Sequence, residues 1–367
     1  MELTRLTSRP PGPVRGRGAA SNAVGRYESL KREAFDDGWD TLSEVPAPLR
    51  TQLDIDRSRK VIAYNQSPDI PFDRSLNPYR GCEHGCVYCF ARPSHAWFGL
   101  SPGLDFESRL FYKPDAPAVL ARELRANGYK VAPIAVGANT DAYQPVDRKL
   151  ALTRQLIEVL AAHRHPLTVI TKSSGVERDI DLLAELADAN LASVAVSITT
   201  LNPELARRME PRASAPRRRL ETVRRLRAAG IPVTVMMAPV IPTLTDPEIE
   251  ALLGAASQAG ANDVRYILLR LPRELTTLFD EWLCTHYPLQ RDRVLNNLRD
   301  TQGGALYDAR WNTRMTGTGP FAEAIAMRFR LAKRRLGFAG VAPLDTNQFG
   351  VPEDALSDEP HQYGLLQ

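Results

Sequence analysis

The sequence predicts an α/β fold of about six βα units, and three observations carry that prediction. Short β-rich runs recur through the middle of the chain. The segments between them repeat their apolar residues at helical spacing. The series begins at a strand that leads into a tight cluster of cysteines. The β-rich runs are VAPIAVGAN (131–139), PLTVITKS (166–173), LASVAVSITT (191–200), IPVTVMMAPV (231–240) and DVRYILLRL (263–271). In RKLALTRQLIEVLAAHR, Leu150, Leu156, Ile157 and Leu160 share one face at helical rather than strand spacing. RDIDLLAELADAN and RRRLETVRRLRAAG behave likewise, the second stopping at Gly230. TDPEIEALLGAASQAG opens with an aspartate cap candidate and a first-turn proline, and closes at Gly260. Strands alternating with helices argue for a parallel sheet. With the strand before the cysteines, the units run from residue 75 to residue 271, as an open doubly wound sheet or an incomplete barrel. In either architecture ligands gather at the C-terminal ends of the strands.

The flanks read differently. Residues 1–55 are rich in Arg, Gly, Pro and Ser in their first half and have little periodicity, which predicts a flexible basic arm. Residues 272–340 are expected to form a helical C-terminal extension, and 341–367 a loose acidic tail. The first 20 residues hold arginines but no apolar stretch of the kind a secretory signal needs, and no apolar run approaches the roughly 18–20 residues that cross a bilayer. A cytoplasmic location is expected, with no membrane partner. Formal net charge is +4, yet nine arginines face two glutamates between Arg207 and Arg227. Such a segment is either a solvated helix face or a patch that attracts nucleic acid.

RGCEHGCVYCFARP (80–93) places Cys82, Cys86 and Cys89 in a C-x3-C-x2-C array, and the chain has one further cysteine, Cys284. Clustered thiols in a chain without an export signal point to metal or redox chemistry rather than disulfides. A structural zinc site wants four ligands, and His84 or His95 could supply the fourth. A complete ferredoxin-type site also uses four cysteines. Three thiolates on a four-iron cubane leave one iron open to a substrate or co-substrate.

CEHGCVYC resembles the cluster loop of the radical S-adenosylmethionine (SAM) superfamily, three cysteines with an aromatic residue, Tyr88, before the last. The resemblance extends over about residues 60–340. It is nearest to bacterial members related to spore photoproduct lyase, through segments such as SPDIPFDRSLNPYRGCEHGCVYCFARPSH, GANTDAYQPVDRKLALTRQLIEVL, VITKSSGVERDIDLL and MMAPVIPTLTD. It implies a partial (βα)6 TIM-type barrel over 56–271. It implies that Cys82, Cys86 and Cys89 hold a [4Fe–4S] cluster whose open iron binds SAM. Reductive cleavage of SAM to a 5′-deoxyadenosyl radical would follow, then hydrogen abstraction from a substrate. A one-electron donor such as flavodoxin or ferredoxin is implied as partner.

Site residues follow from the same resemblance. Tyr88 is expected beside the adenine, and Gly137, Asn139, Thr140 and Asp141 near the methionine amino group. Asp141 has a competing use, in bonding its own loop or capping the next helix. Lys172 and Ser197 are expected to bind the SAM carboxylate and ribose, with Lys172 alternatively paired to Asp141. Arg212 is a weaker candidate for that pocket, and Arg270 and Asp179 are weaker still. Gly81 and Gly85 would let the loop fold tightly. APVIPTLTD would line the adenine with apolar contacts.

The sequence departs from the lyase at the residues that return a hydrogen atom. Phe90 stands where the lyase has a tyrosine, and no cysteine lies between Cys89 and Cys284. The expectation is therefore a radical SAM enzyme whose substrate is open. DNA repair like that of the lyase, a non-catalytic iron–sulfur module and a zinc-stabilised nucleic-acid binder are the alternatives.

Overall fold

The computed structural model describes residues 14–27 and 49–352. The chain enters through four short strands, β1 (Gln52–Ile55), β2 (Ile62–Tyr64), β3 (Arg74–Leu76) and β4 (Tyr79–Arg80). After the cysteine loop come α1 (Leu104–Ser108), β5 (Arg109–Tyr112), α2 (Ala116–Leu124) and β6 (Ile134–Val136). Then follow α3 (Asp147–Leu150), α4 (Leu152–Ala162), β7 (Leu167–Thr171), α5 (Ile180–Asp188) and β8 (Ala192–Ser197). The series continues with α6 (Pro203–Met209), α7 (Pro216–Ala228), β9 (Val233–Val240), α8 (Ile249–Gln258) and β10 (Asp263–Leu268). It ends in α9 (Leu275–His286), α10 (Arg291–Thr301) and α11 (Pro320–Arg335).

The large sheet runs β2-β3-β6-β7-β8-β9-β10. From β3 to β10 every pairing is parallel, and β2 adds an antiparallel edge. The five β-rich runs supply β6 to β10, and β3 is the strand ahead of the cysteines, so the six parallel strands of a partial barrel are present. β8, ASVAVS, is buried at every residue, the pattern of a central parallel strand covered on both faces. Leu156, Ile157 and Leu160 of α4 join Leu183, Val223, Leu226, Leu252 and Leu253 of the neighbouring helices in one core against the sheet.

The helix expected over 148–164 is broken. Ala151 takes a left-handed φ of 49° between α3 and α4. The cause is Asp147, whose carboxylate accepts the Thr153 N–H at 3.1 Å and hydroxyl at 3.0 Å. It thereby caps the first turn of α4 from outside and ends α3 early.

A second sheet, β1-β5-β4, was not legible as such, because its strands are only two to four residues long. It matters to the site, since β4 delivers the chain directly to Gly81 and Cys82. Of the segment expected to be an arm, residues 14–27 lie against the cysteine loop, where Arg17 donates to the Glu107 carbonyl at 2.5 Å. Residues 1–13 and 28–48, and most of the tail (353–367), fall outside the described residues. No helix among the described residues is long and apolar enough to cross a membrane.

Candidate active site

The cysteine loop folds back on itself through two glycines. Gly81 and Gly85 have φ of 74° and 67°. A Cβ on Gly81 would meet Leu110 Cδ2 at 2.6 Å and the Phe106 carbonyl at 2.8 Å, so the position admits no side chain. Cys82 N–H donates to Phe106 O at 2.9 Å, and Cys89 N–H to Cys86 O at 3.2 Å. Val87 N–H reaches Met209 O at 2.9 Å, tying the loop to the end of α6.

Behind the loop lies an ion pair that is wholly buried. Arg92 donates to the Cys86 carbonyl at 2.8 Å and to the Pro102 and Gly103 carbonyls, and it pairs with Glu107. Both side chains are 0% exposed, so each charge depends on the other. Glu107 also accepts the N–H groups of Gly18 and Ala19 at 3.0 and 2.8 Å, which straps the N-terminal segment across the loop. Glu83 is held from two sides, by Thr51 at 2.6 Å and Arg212 at 3.1 Å.

Cys82 and Cys86 are buried and Cys89 is half-buried. Burial pushes the Cys82 thiol well above its ordinary value, with Asp141 and the other two thiols adding to the effect. Burial likewise pushes Cys86 up to about 12, against the pull of Lys172. Such thiols are poor free nucleophiles in this protein environment, and their natural stabiliser is a soft, positively charged metal centre. Among the described residues, no three His, Cys, Asp or Glu side chains converge tightly enough to hold a single ion. Ligands of one zinc would lie within about 4 Å of each other.

Neither histidine is a ready fourth ligand. His95 Nε2 contacts the Arg109 carbonyl at 2.9 Å, and its ring packs on Phe98, Phe106 and Phe111. Burial lowers its pKa to about 4. His84 Nδ1 faces Asp141 at 3.3 Å. Cys284 sits exposed on α9, whose buried face is formed by Leu275, Leu278, Phe279, Trp282 and Leu283, so it does not fold back to the loop.

On the open side, Lys172, at the end of β7, sets its ammonium 5.8 Å from the Tyr88 ring centroid. Among the described residues no carboxylate lies within ion-pair distance of it. The alternative pairing with Asp141 is not made. Asp141 instead accepts the backbone N–H of Lys172 at 2.6 Å, the Thr171 hydroxyl at 2.7 Å and the Tyr143 N–H at 3.0 Å. Burial alone would raise the Asp141 carboxyl, but His84 and these donors bring it down to about 2. Its role in the structure is to join the 137–143 loop to the end of β7. Gly137 has φ 83°, and a Cβ there would meet the Ile170 carbonyl at 2.6 Å. Asn139 and Thr140 hang their N–H groups on Asn77 Oδ1 at 2.9 and 3.3 Å.

Tyr88 is buried, and burial with nearby negative charge raises its phenol well above the ordinary value. The hydroxyl donates to Glu210 and lies 3.1 Å from Thr199 Oγ1. Glu210 pairs with Arg219 at 2.6 Å, and Arg219 donates to the Ser197 carbonyl at 2.9 Å. One buried chain of contacts thus joins Tyr88 to the end of β8. Sequence reasoning missed Glu210, Arg219, Arg92 and Glu107. Their only signal was a charged residue beside a motif, which reads equally well as surface.

Two weaker candidates have charge partners within the fold. Asp179 is locked by Tyr143 at 2.9 Å and by Arg154 and Arg178, which makes it a structural acid. Arg212 has its charge matched by Glu83. The arginine-rich segment is also largely satisfied within the fold: Arg208, Arg212, Arg218, Arg219, Arg224 and Arg225 each face a glutamate.

A model of the radical SAM superfamily matches residues 76–256. An uncharacterized protein of Mycobacterium tuberculosis is 40% identical over 231 residues, spanning 62% of this chain and 68% of the relative. An uncharacterized protein of Methanocaldococcus jannaschii is 26% identical over 222 residues, 60% of this chain and 79% of that one. Among solved structures, a spore photoproduct lyase variant with bound AdoMet and dinucleoside spore photoproduct superposes with a TM-score of 0.56. Its identity is 15%, over 78% of this chain and 79% of the other, so the likeness is one of fold.

Proposed function

The chain belongs to the radical SAM superfamily, and we propose that it holds a [4Fe–4S] cluster on Cys82, Cys86 and Cys89 and cleaves SAM reductively to act on a substrate by hydrogen abstraction. The observation that carries this reading is the pairing of three thiols on one glycine-hinged loop with an ammonium, Lys172, that lies across Tyr88 and has no ion-pair partner among the described residues. The residues fit the group: three thiols on one loop, no further cysteine beside them among the described residues, and a cation where a carboxylate would be received.

When bound, the cluster and SAM would supply a 5′-deoxyadenosyl radical and methionine. The chain's own residues bind and orient. Lys172 would take the SAM carboxylate as a charge-assisted contact. Gly137, Asn139 and Thr140 would present backbone to the amino group, with Asp141 fixing their loop. Tyr88 would flank the adenine, its hydroxyl anchored by Glu210, and Ser197 would meet the ribose. Arg92, Glu107 and the strap at Gly18 and Ala19 exclude water from behind the loop. Arg212 would act through Glu83, by holding the loop. A one-electron donor such as flavodoxin or ferredoxin is proposed as partner. Nucleic acid as substrate is kept through the 207–227 segment, although few of its arginines are free to meet phosphate.

The test is anaerobic reconstitution with iron and sulfide, then dithionite reduction with SAM and assay for 5′-deoxyadenosine. Product that disappears in the Cys82→Ala/Cys86→Ala/Cys89→Ala variant is the expected result. Zinc in place of iron, or product that survives the triple change, would refute the reading.

A further inference from the structure

Arg270 follows β10 by two residues, at the same end of the sheet as the cysteine loop. Its neighbours Leu269 and Leu271 are fully buried in one apolar cluster with Val87 and Tyr88. Arg270 between them is half-buried. Its guanidinium carbon lies 5.2 Å from the ring centroid of Phe90, the residue after Cys89, and Phe90 is 45% exposed.

Burial pulls the Arg270 guanidinium below its ordinary value, with Arg314 adding to the effect and Tyr307 and Asp69 opposing it. Among the described residues it has neither a hydrogen-bond acceptor nor an ion-pair partner. The neighbouring acid does not serve it, because Asp69 is already held by Arg314 and by the Asn312 N–H. That leaves one positive charge in excess at the face of the loop. A cation–π contact offsets only part of the desolvation of an arginine.

We propose that Arg270 is an anion-recognising residue of this face, taking an oxyanion, phosphate or carboxylate, carried by the substrate. A guanidinium suits this role because its planar fork meets either group with two parallel hydrogen bonds. This rests on the radical SAM reading only in making the anion part of the substrate. The anion site itself stands on the surroundings of Arg270.

The experiment is anaerobic thermal unfolding of the reconstituted protein in chloride buffer. Part of the chloride is then exchanged, at constant ionic strength, for inorganic phosphate or for acetate. Arg270→Met replaces the guanidinium by an apolar chain, and Arg265→Met, at an exposed arginine paired with Asp263, is the control. In chloride, Arg270→Met should melt about 2 °C or more above wild type, because a half-buried cation without an ion-pair partner among the described residues is gone. Wild type and the control should gain about 2 °C or more with the anion, and Arg270→Met should gain almost nothing. A gain with phosphate alone assigns a phosphate-bearing substrate, and a gain with acetate assigns a carboxylate. An Arg270→Met protein that does not melt higher in chloride, or an anion effect equal in all three proteins, overturns the proposal. No SAM is present, so this result and the 5′-deoxyadenosine assay fail independently.

Discussion

The two sides of the cysteine loop treat charge in opposite ways. Behind the loop, Arg92 meets Glu107 and Glu83 meets Arg212. In front, Lys172 and Arg270 stand over aromatic rings, Tyr88 and Phe90, and have no ion-pair partner among the described residues. Charges that hold a backbone are neutralised inside the fold, because an unpaired buried ion costs several kcal/mol. Charges left without a partner mark the side where something else binds. The predictions below test that contrast, beginning with the largest effect.

Glu107→Ala leaves Arg92 as an uncompensated cation at a fully buried position and releases the Gly18 and Ala19 N–H groups. It should cost about 3–5 kcal/mol in urea unfolding. Arg92→Met combined with Glu107→Leu should cost much less than the two single changes added together. A loss under about 1 kcal/mol for Glu107→Ala would remove the braced back from the comparison.

The second prediction concerns pH. His95 sits under Gly81 with its pKa depressed to about 4 by burial. A depressed histidine contributes stability that is fully present above its unfolded pKa near 6.5. That stability is lost as pH falls through about 4, because the unfolded chain binds the proton first. The loss amounts to about 3 kcal/mol at pH 4, as an order of magnitude. His165, also held near 4 by burial, adds a similar loss far from the loop. His95→Gln should therefore shrink the acid slope of unfolding free energy between pH 6.5 and 4 by about one proton. An unchanged slope would detach His95 from the acid sensitivity of the loop.

The βα series and the three thiols were legible because periodicity and spacing are local properties of sequence. β7, β8 and β9 lie inside the runs that predicted them. The break at Ala151 was hidden, since it depends on Asp147 being fixed by Tyr79 and Arg178, residues distant in sequence. The brace was hidden for the same reason: nothing near Glu107 announces that Gly18 and Ala19 will cross it. The uneven 207–227 charge was read correctly as a count. Its neutralisation depends on glutamates such as Glu83 and Glu177, which the fold brings from other elements.

Lys172→Ala probes the front. Removing one ammonium that would meet a carboxylate should weaken SAM binding about 10- to 100-fold, the value of a charge-assisted contact. Iron content should be unchanged, because Lys172 bonds to no part of the loop's backbone. Loss of iron together with affinity would move Lys172 from the front of the loop to its support.

The smallest expected effect is at Cys284. Its thiol is exposed on α9 beside Arg291, on the side away from the buried Leu275, Phe279 and Trp282. Surface substitutions of this kind usually change stability by less than about 0.5 kcal/mol. Cys284→Ser should therefore leave iron per chain, SAM affinity and 5′-deoxyadenosine formation as they are. The variant decides whether three thiols suffice. Lost iron would make Cys284 a fourth ligand and close the iron that SAM needs. Retained iron with stalled product would make it a hydrogen donor that reaches the front by a movement of α9. If all three readouts hold, the open side of the loop is built without any thiol beyond the cluster's own. On the proposed function, the atom that closes the radical cycle would then come from a donor other than a cysteine of this chain.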